Sequence, residues 1–185
     1  ILGPMGETPF AFVTSANGFT SFREMINYAK REELPCGVSG ANTIELDRIN
    51  RLYKTKFIPI SYKGTSFIKN DLLGGHIKCA YDGAGAYARD HELKSLRYLA
   101  SNINVLNQVQ TIDTVLLDYK FEMWFAIVIV NDSKLLKNKK LMQVISDISS
   151  NKEYIDKLSQ HSLYKTTSNK LNDKVEKLMS EYKAH

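Results

Sequence analysis

Two cysteines, Cys36 and Cys79, are all that this chain of 185 residues carries. They allow no zinc-type Cys/His spacing and make no disulfide framework. The four histidines, His76, His91, His161 and His185, stand apart from one another, outside the spacings that metal ligands adopt. Long apolar runs are missing too. The most apolar stretch, 124–130, falls well short of the about 20 residues a membrane-spanning helix needs. The first residues, ILGPMGETPF, lack the basic start and apolar core of a secretory signal. No G-x-S-x-G elbow, P-loop or G-x-G-x-x-G fingerprint occurs, and the G-A-G-A string at 83–86 lacks the later glycine of a phosphate loop. The charge excess is small, +5, and the basic residues are scattered. A nucleic-acid surface would need them clustered among aromatic stacking groups. The densest group, four lysines in 134–140 beside Leu135, Leu136 and Leu141, reads as the solvated face of a helix. Catalysis would fall to a Cys–His pair, yet both cysteines sit in short apolar runs that read as strands. They are expected to be buried thiols, with a cross-strand disulfide as the alternative in an oxidising compartment.

What is present suits a packed protein. Apolar residues make up 43% and charged residues 24%, enough for one domain or two small lobes. The order of elements is strand, helix, strand, helix at short spacing. Residues 10–14 read as a strand. Ser21 and Glu24 fit a capping box, and Phe22, Met25, Ile26 and Ala29 give the next helix one apolar face. A strand at Cys36 leads through the small-residue turn 39–43 into a helix carrying Leu46, Ile49 and Tyr53. Residues 57–62 form a strand that Pro59 assigns to an edge or a bulge. A short helix with Phe67, Ile68, Leu72 and Leu73 ends at Gly74 or Gly75. Residues 77–81 and 96–100 read as further strands, with a helix over 84–92 between them. The alternation implies a parallel or mixed sheet with helices on both faces. Residues 121–130 read as a strand buried on both faces. Two helices follow, one from Leu135 to Ile148 with an extension through Ile155 and Leu158, the other carrying Leu171, Val175, Leu178 and Met179.

The stretch 60–82, I-S-Y-K-G-T-S-F-I-K-N-D-L-L-G-G-H-I-K-C-A-Y-D, is the most informative. With the helix S-F-R-E-M-I-N-Y-A-K, the loop V-S-G-A-N-T, the strand L-K-S-L-R-Y-L-A-S, the V-Q-T-I turn and F-E-M-W-F-A-I, it resembles the extracytoplasmic solute receptors of tripartite tricarboxylate transporters, the Bug family. The match lies in the order and spacing of several blocks along most of the chain. Departures exist: Ser61 stands where that family has proline, Lys78 where it has aspartate, and Gln110 where it has proline. The resemblance implies a type II periplasmic-binding-protein fold, α/β with a mixed, mostly parallel sheet flanked by helices. It implies that 10–118 form the ligand-binding second lobe and 119–185 the C-terminal share of lobe one. The family's N-terminal glycine-rich ligand loops have no counterpart here. The expectation is therefore an incomplete lobe one, whose exposed apolar faces (Ile127, Ile129, Val175, Met179) favour self-association, and a signal encoded upstream.

Three loops are candidates for ligand contact. Ser39, Gly40, Ala41, Asn42 and Thr43 open a helix whose free amides and positive dipole end suit a carboxylate. Local sequence alone favours a plain N-cap by Asn42 or Thr43. The resemblance, which turns this loop towards the cleft, favours contact with ligand. Tyr62, Lys63 and Gly64 form the second candidate, although a loop lysine is more commonly solvated. Asp82 and Gly83 form the third, between a strand and a helix at the edge where open α/β sheets bind ligands. Asp82 either positions a water or ligand donor or caps the next helix. The function so implied is a receptor that captures a di- or tricarboxylate or an acidic amino acid and passes it to membrane transporter subunits from the periplasm. No cofactor, metal, nucleic acid or catalysis is involved. The competing reading is a truncated or degenerate relative that acts as an interaction or signalling module.

Overall fold

The computed structural model describes residues 3–40, 42–104, 106, 108–121, 124–127 and 138–160. The chain divides into two compact units, Pro9–Glu122 and a second made of Ile1–Thr8 with Met123–His185.

The unit Pro9–Glu122 is built on a five-stranded sheet. Its strands are β2 (Phe10–Ser15), β3 (Leu34–Ser39), β4 (Phe57–Tyr62), β5 (Cys79–Gly83) and β6 (Leu96–Ser101), in the order β4-β3-β5-β2-β6. β3 runs parallel to both β4 and β5, while β2 is antiparallel to β5 and β6. Four strands therefore share one direction and β2 alone opposes them. The sheet is mixed, as expected. β4 takes the edge that Pro59 demands, since a proline there removes no hydrogen bond the sheet needs.

Side-chain alternation sorts the core into two faces. On one face Phe12 stacks with Phe22 of α1 (Phe22–Arg31), Phe57 of β4 and Tyr81 of β5, with ring centroids 5.1, 5.5 and 4.7 Å away. On the other, Ala11, Val13 and Ala80 pack with Ile68 and Leu72 of α3 (Thr65–Leu73) and with Tyr87, Leu96 and Tyr98. The four apolar positions of α1 read from the sequence are all buried. Ser21 caps that helix by accepting from the Glu24 amide at 3.2 Å, and Glu24 reaches back to the Thr20 amide at 2.8 Å. Gly37 of β3 is needed where it stands. A Cβ there would meet Ile77 Cδ1 at 2.7 Å and Ile68 Cγ2 at 2.9 Å, so its absence lets α3 lie directly on the strand.

Helix α2 (Asn42–Tyr53) carries the chain from β3 to its neighbour β4, and α3 carries it back past β3 to β5. β5 begins at Cys79, two residues later than the sequence indicates. Gly75, at φ +74°, ends the α3 turn, and the Ile77 amide still bonds back to the Asp71 carbonyl at 3.3 Å. The expected helix over 84–92 opens as a 3₁₀ turn, Ala84–Tyr87, before α4 (Ala88–Glu92). A second 3₁₀ turn, Ile112–Thr114, interrupts the irregular run after β6.

Cys36 and Cys79 are register partners on the parallel strands β3 and β5, with Cα atoms 4.7 Å apart. They form a disulfide, and both residues are fully buried. The expectation of two buried thiols was right about burial and wrong about the thiols. Sequence separation hides the pairing, because only the crossover through β4 brings the two strands side by side.

In the second unit, β1 (Gly3–Glu7) pairs antiparallel with β7 (Trp124–Ile127), Glu7 opposite Trp124. Helices α5 (Lys139–Ser150) and α6 (Lys152–Gln160) follow. The apolar run that the sequence extends through Leu158 is divided at Asn151, whose Oδ1 accepts from the Tyr154 amide at 3.1 Å. Phe125 is exposed, against the expectation of a strand buried on both faces. The side chains of Ile127 and Ile129 and the helix expected around Leu171, Val175, Leu178 and Met179 lie outside the described residues.

Candidate functional site

The ends of β4, β3 and β5 lie in one row. Ser39 is the register partner of Tyr62, and Val38 pairs with Tyr81, which sets Asp82 beside Ser39. The connections leaving this row diverge. β3 leads outward to β4 on one side, while β5 leads across β2 to β6 on the other. Between β3 and β5 the sheet therefore has a switch point, where open α/β sheets form a crevice beyond the carboxyl ends of their strands.

Asp82 stands at that point, 3% exposed. Its Oδ1 accepts from Ser39 Oγ at 2.6 Å and from Asn42 Nδ2 at 3.3 Å. Its Oδ2 accepts from Thr65 Oγ1 at 2.7 Å and from the Tyr87 hydroxyl at 3.1 Å. An ionised carboxylate offers about four acceptor sites, so these four donors satisfy it. They come from the end of β3, the first turns of α2 and α3, and the 3₁₀ turn after β5. The starts of two helices are thus fixed against one negative charge, the favourable polarity for helix N-termini. Asp82 does not cap the turn that follows it, which has no side-chain cap. Burial, and after it the Asp82 charge, pushes the Tyr87 hydroxyl far up, so it stays a donor.

Of the residues proposed from sequence, Ser39, Asn42 and Asp82 are joined directly. Gly40, at φ +55° with open space around it, is exposed, and a side chain there would strain the backbone. Thr43 is half-buried, its Oγ1 3.4 Å from Ser61 Oγ. Ala41 lies outside the described residues. Tyr62 ends β4, but its hydroxyl donates to Asp71 Oδ2 at 2.6 Å, and burial followed by Asp71 pushes its pKa to about 12. Lys63 is exposed. Gly64 precedes α3 with extended backbone, φ 174°, and Gly83 ends β5; each has open space where a Cβ would stand. Sequence reasoning missed Thr65 and Tyr87. Thr65 carried a signal, a hydroxyl at the first helical position after the Y-K-G turn. Tyr87, five residues past Asp82, carried none.

Beneath this row lies a second polar group, also unforeseen. Glu45 of α2 is 7% exposed and pairs with Arg48 at 2.7 Å. The Tyr119 hydroxyl, which acts on Glu45 to lower that carboxyl's pKa, lies 2.9 Å from that of Tyr81. Arg48 also donates to the Lys120 carbonyl at 3.1 Å, and its guanidinium lies 5.9 Å from the Tyr119 ring centroid. Burial raises the Glu45 pKa, with Arg48 and the hydrogen bonds opposing. In the unfolded chain the carboxyl titrates near its ordinary 4.5. Above that value the native state holds more proton than the unfolded one, so stability falls as pH rises through the window up to the raised value. We predict that Glu45→Gln flattens this decline when urea unfolding is followed from about pH 4 to about pH 7. An unaltered slope would refute the assignment to Glu45.

Among the described residues no group of three or more His, Cys, Asp or Glu is placed to hold a metal, and no helix is long and apolar enough to cross a membrane.

No protein-family model matches this chain. No curated protein matches it either. Solved structures do. The chain is similar to a TctC solute binding protein from Polaromonas, solved with no ligand, at 18% identity and a TM-score of 0.71, over 88% of this chain and 60% of that one. It is similar to R. palustris Rpa4515 with adipate, at 18% identity and a TM-score of 0.77, over 98% of this chain and 66% of that one. It is also similar to MatC from Rhodopseudomonas palustris with bound malate, at 14% identity and a TM-score of 0.64, over 89% and 60%. The chain thus spans about three fifths of the TctC structure's length. At these identities the likeness establishes the fold, a periplasmic-binding-protein α/β architecture. It falls on the same group of solute receptors that the sequence blocks resemble.

Proposed function

We propose that this chain is the ligand-binding part of a tripartite tricarboxylate-type solute receptor that captures a small carboxylate. The observation that carries the reading is the convergence of the end of β3, two helix starts and the 3₁₀ turn after β5 on Asp82 at the switch point of the sheet. Asp82 is already satisfied, so it acts as organiser and not as a direct ligand partner. The contact surface falls to the groups around it: the backbone amides of the loop 39–43, the hydroxyls of Thr43 and Ser61, and the turn of Tyr62, Lys63, Gly64 and Gly83, while the Ser39 hydroxyl stays committed to Asp82. Donors of this kind hold a carboxylate without burying a full counter-charge. Reversible binding is the work that such donors suit. Adipate in Rpa4515 and malate in MatC support the ligand class. The same likeness supports delivery to transporter subunits from the periplasm as part of this reading.

Isothermal titration of the protein with succinate, malate, adipate, citrate, aspartate and glutamate is the test. Saturable heat is expected with at least one dicarboxylate, and its loss in Ser39→Ala. Silence with every anion would turn the reading towards a non-transporting interaction module.

A further inference from the structure

In the order β4-β3-β5-β2-β6, the pair β4-β3 meets the group β5-β2-β6 along one short ladder. It consists of Cys36 with Cys79, Gly37 with Ala80 and Val38 with Tyr81. The disulfide closes its first pair. One residue past its last pair, Ser39 Oγ donates to Asp82 Oδ1 at 2.6 Å. Ser39 and Asp82 each follow their cysteine by three residues, about 10 Å at the rise of an extended chain. The ladder between bond and site has little to hold its own register. Cross-strand side-chain pairs fix one strand against another, and small residues fix it weakly. Gly37 has no side chain and Ala80 a single methyl. A Cβ at position 37 would collide with Ile77 and Ile68, so no larger residue can take over the task. The other ladders of this sheet are longer: β3 pairs with β4 over all of Leu34–Ser39, and β2 pairs with β5 from Phe10 to Val13 and with β6 from Ala11 to Ser15. The seam on which the site depends is the shortest in the sheet, and it carries the covalent bond.

We propose that the Cys36–Cys79 disulfide is a positioning element of the Asp82 site, setting the β3–β5 register that brings Ser39 and Asn42 onto Asp82. The chain therefore becomes competent to bind only once it is oxidised; this half rests on the function proposed above, and the register half does not. The oxidant is an external disulfide. One cysteine thiolate attacks a sulfur of it and one external thiol leaves. The second cysteine thiolate then displaces the other external thiol from the mixed disulfide. Two protein thiols and one external disulfide thus become one protein disulfide and two external thiols. Burial of both cysteines slows the reverse step while the chain stays folded. Oxidation acts as a single maturation step and not as a reversible switch.

The test uses the full chain in three forms. They are the oxidised parent, the parent unfolded in urea with a dithiol and refolded reduced, and Cys36→Val with Cys79→Ala, which returns apolar volume without the bond. Urea curves first establish that each form is folded. The register is read without ligand, from the NMR signals of the Asn42 side-chain amide and the Asp82 carboxylate carbon, with the Leu96 and Ala100 amides of β6 as reference. Binding is read by titration with succinate, malate, adipate, citrate, aspartate and glutamate. In the two forms lacking the bond, the Asn42 and Asp82 signals are expected to move while those of β6 stay. Affinity of the folded protein for any anion the parent binds should fall at least about tenfold, a loss of pre-organisation. A bond that serves stability alone would lower the urea midpoint and leave both readouts unmoved. Either readout unmoved overturns the half it tests. Should the oxidised parent bind none of the six anions, the proposed function fails by itself, and the Asn42 and Asp82 signals decide the register. A chain that folds in neither form lacking the bond would also overturn the proposal, because the cross-link would then serve the whole sheet and not the site.

Discussion

Asp82→Ala is expected to lower the unfolding free energy by about 3–5 kcal/mol and to abolish ligand binding. The magnitude follows from what is left behind. Asn42 and Tyr87 are buried and lose the partner for a donor, each at about 1–3 kcal/mol. Ser39 and Thr65 are half-buried and recover part of the loss from water. Two helix starts also lose the negative charge that faces them. Asp82→Asn keeps the shape. The Thr65 and Tyr87 hydroxyls can turn to accept from the new amide, so this variant should lose about half as much. Urea unfolding of both variants is the measurement. If Asp82→Ala stays within about 1 kcal/mol of the parent, Asp82 is not the organiser described here.

The second large effect belongs to the disulfide. Cys36 and Cys79 are 43 residues apart in sequence, and closing a loop of that length in the unfolded chain contributes about 4 kcal/mol in the chain-entropy account. The paired variant Cys36→Ala with Cys79→Ala should lose that amount, and the parent protein unfolded with a dithiol present should match it. Both cysteines are fully buried, so reduction of the folded protein must wait for an opening of the sheet and should be slow beside reduction in urea. A double variant as stable as the parent would show that the cross-link contributes nothing.

Much of this architecture could be read from residue pattern. The apolar face of α1, the edge position of β4 and the mixed sheet all rest on local signals: a helical period, a proline inside a strand, turns rich in small residues. The site was legible in part. Ser39, Asn42 and Asp82 sit in loops whose position relative to their strands is a local property. What joins them is not. Tyr87, the Glu45–Arg48–Tyr119–Tyr81 group and the Cys36–Cys79 bond depend on which strands become neighbours, and that order, β4-β3-β5-β2-β6, is set by crossovers that no window of sequence contains. Tyr62 shows the same limit in reverse. Its place at the end of β4 was correctly expected, yet its hydroxyl is taken by Asp71 on α3.

The one reversed strand also sets a constraint on time. β2 comes first in its unit, yet its two partners, β5 and β6, begin 69 and 86 residues after it, at Cys79 and Leu96 against Phe10. As the chain leaves the ribosome, β3, α2, β4, α3 and β5 can assemble as a parallel block, while Phe10–Ser15 has nowhere to pair. It must wait, with Phe10, Ala11, Phe12 and Val13 uncovered, until β5 exists, and for its second partner until β6 does. Long-range closure of this kind slows folding and leaves an adhesive segment uncovered meanwhile. Chaperone dependence during synthesis, and a late step in refolding at which β2 amides gain protection, are what such an insertion costs.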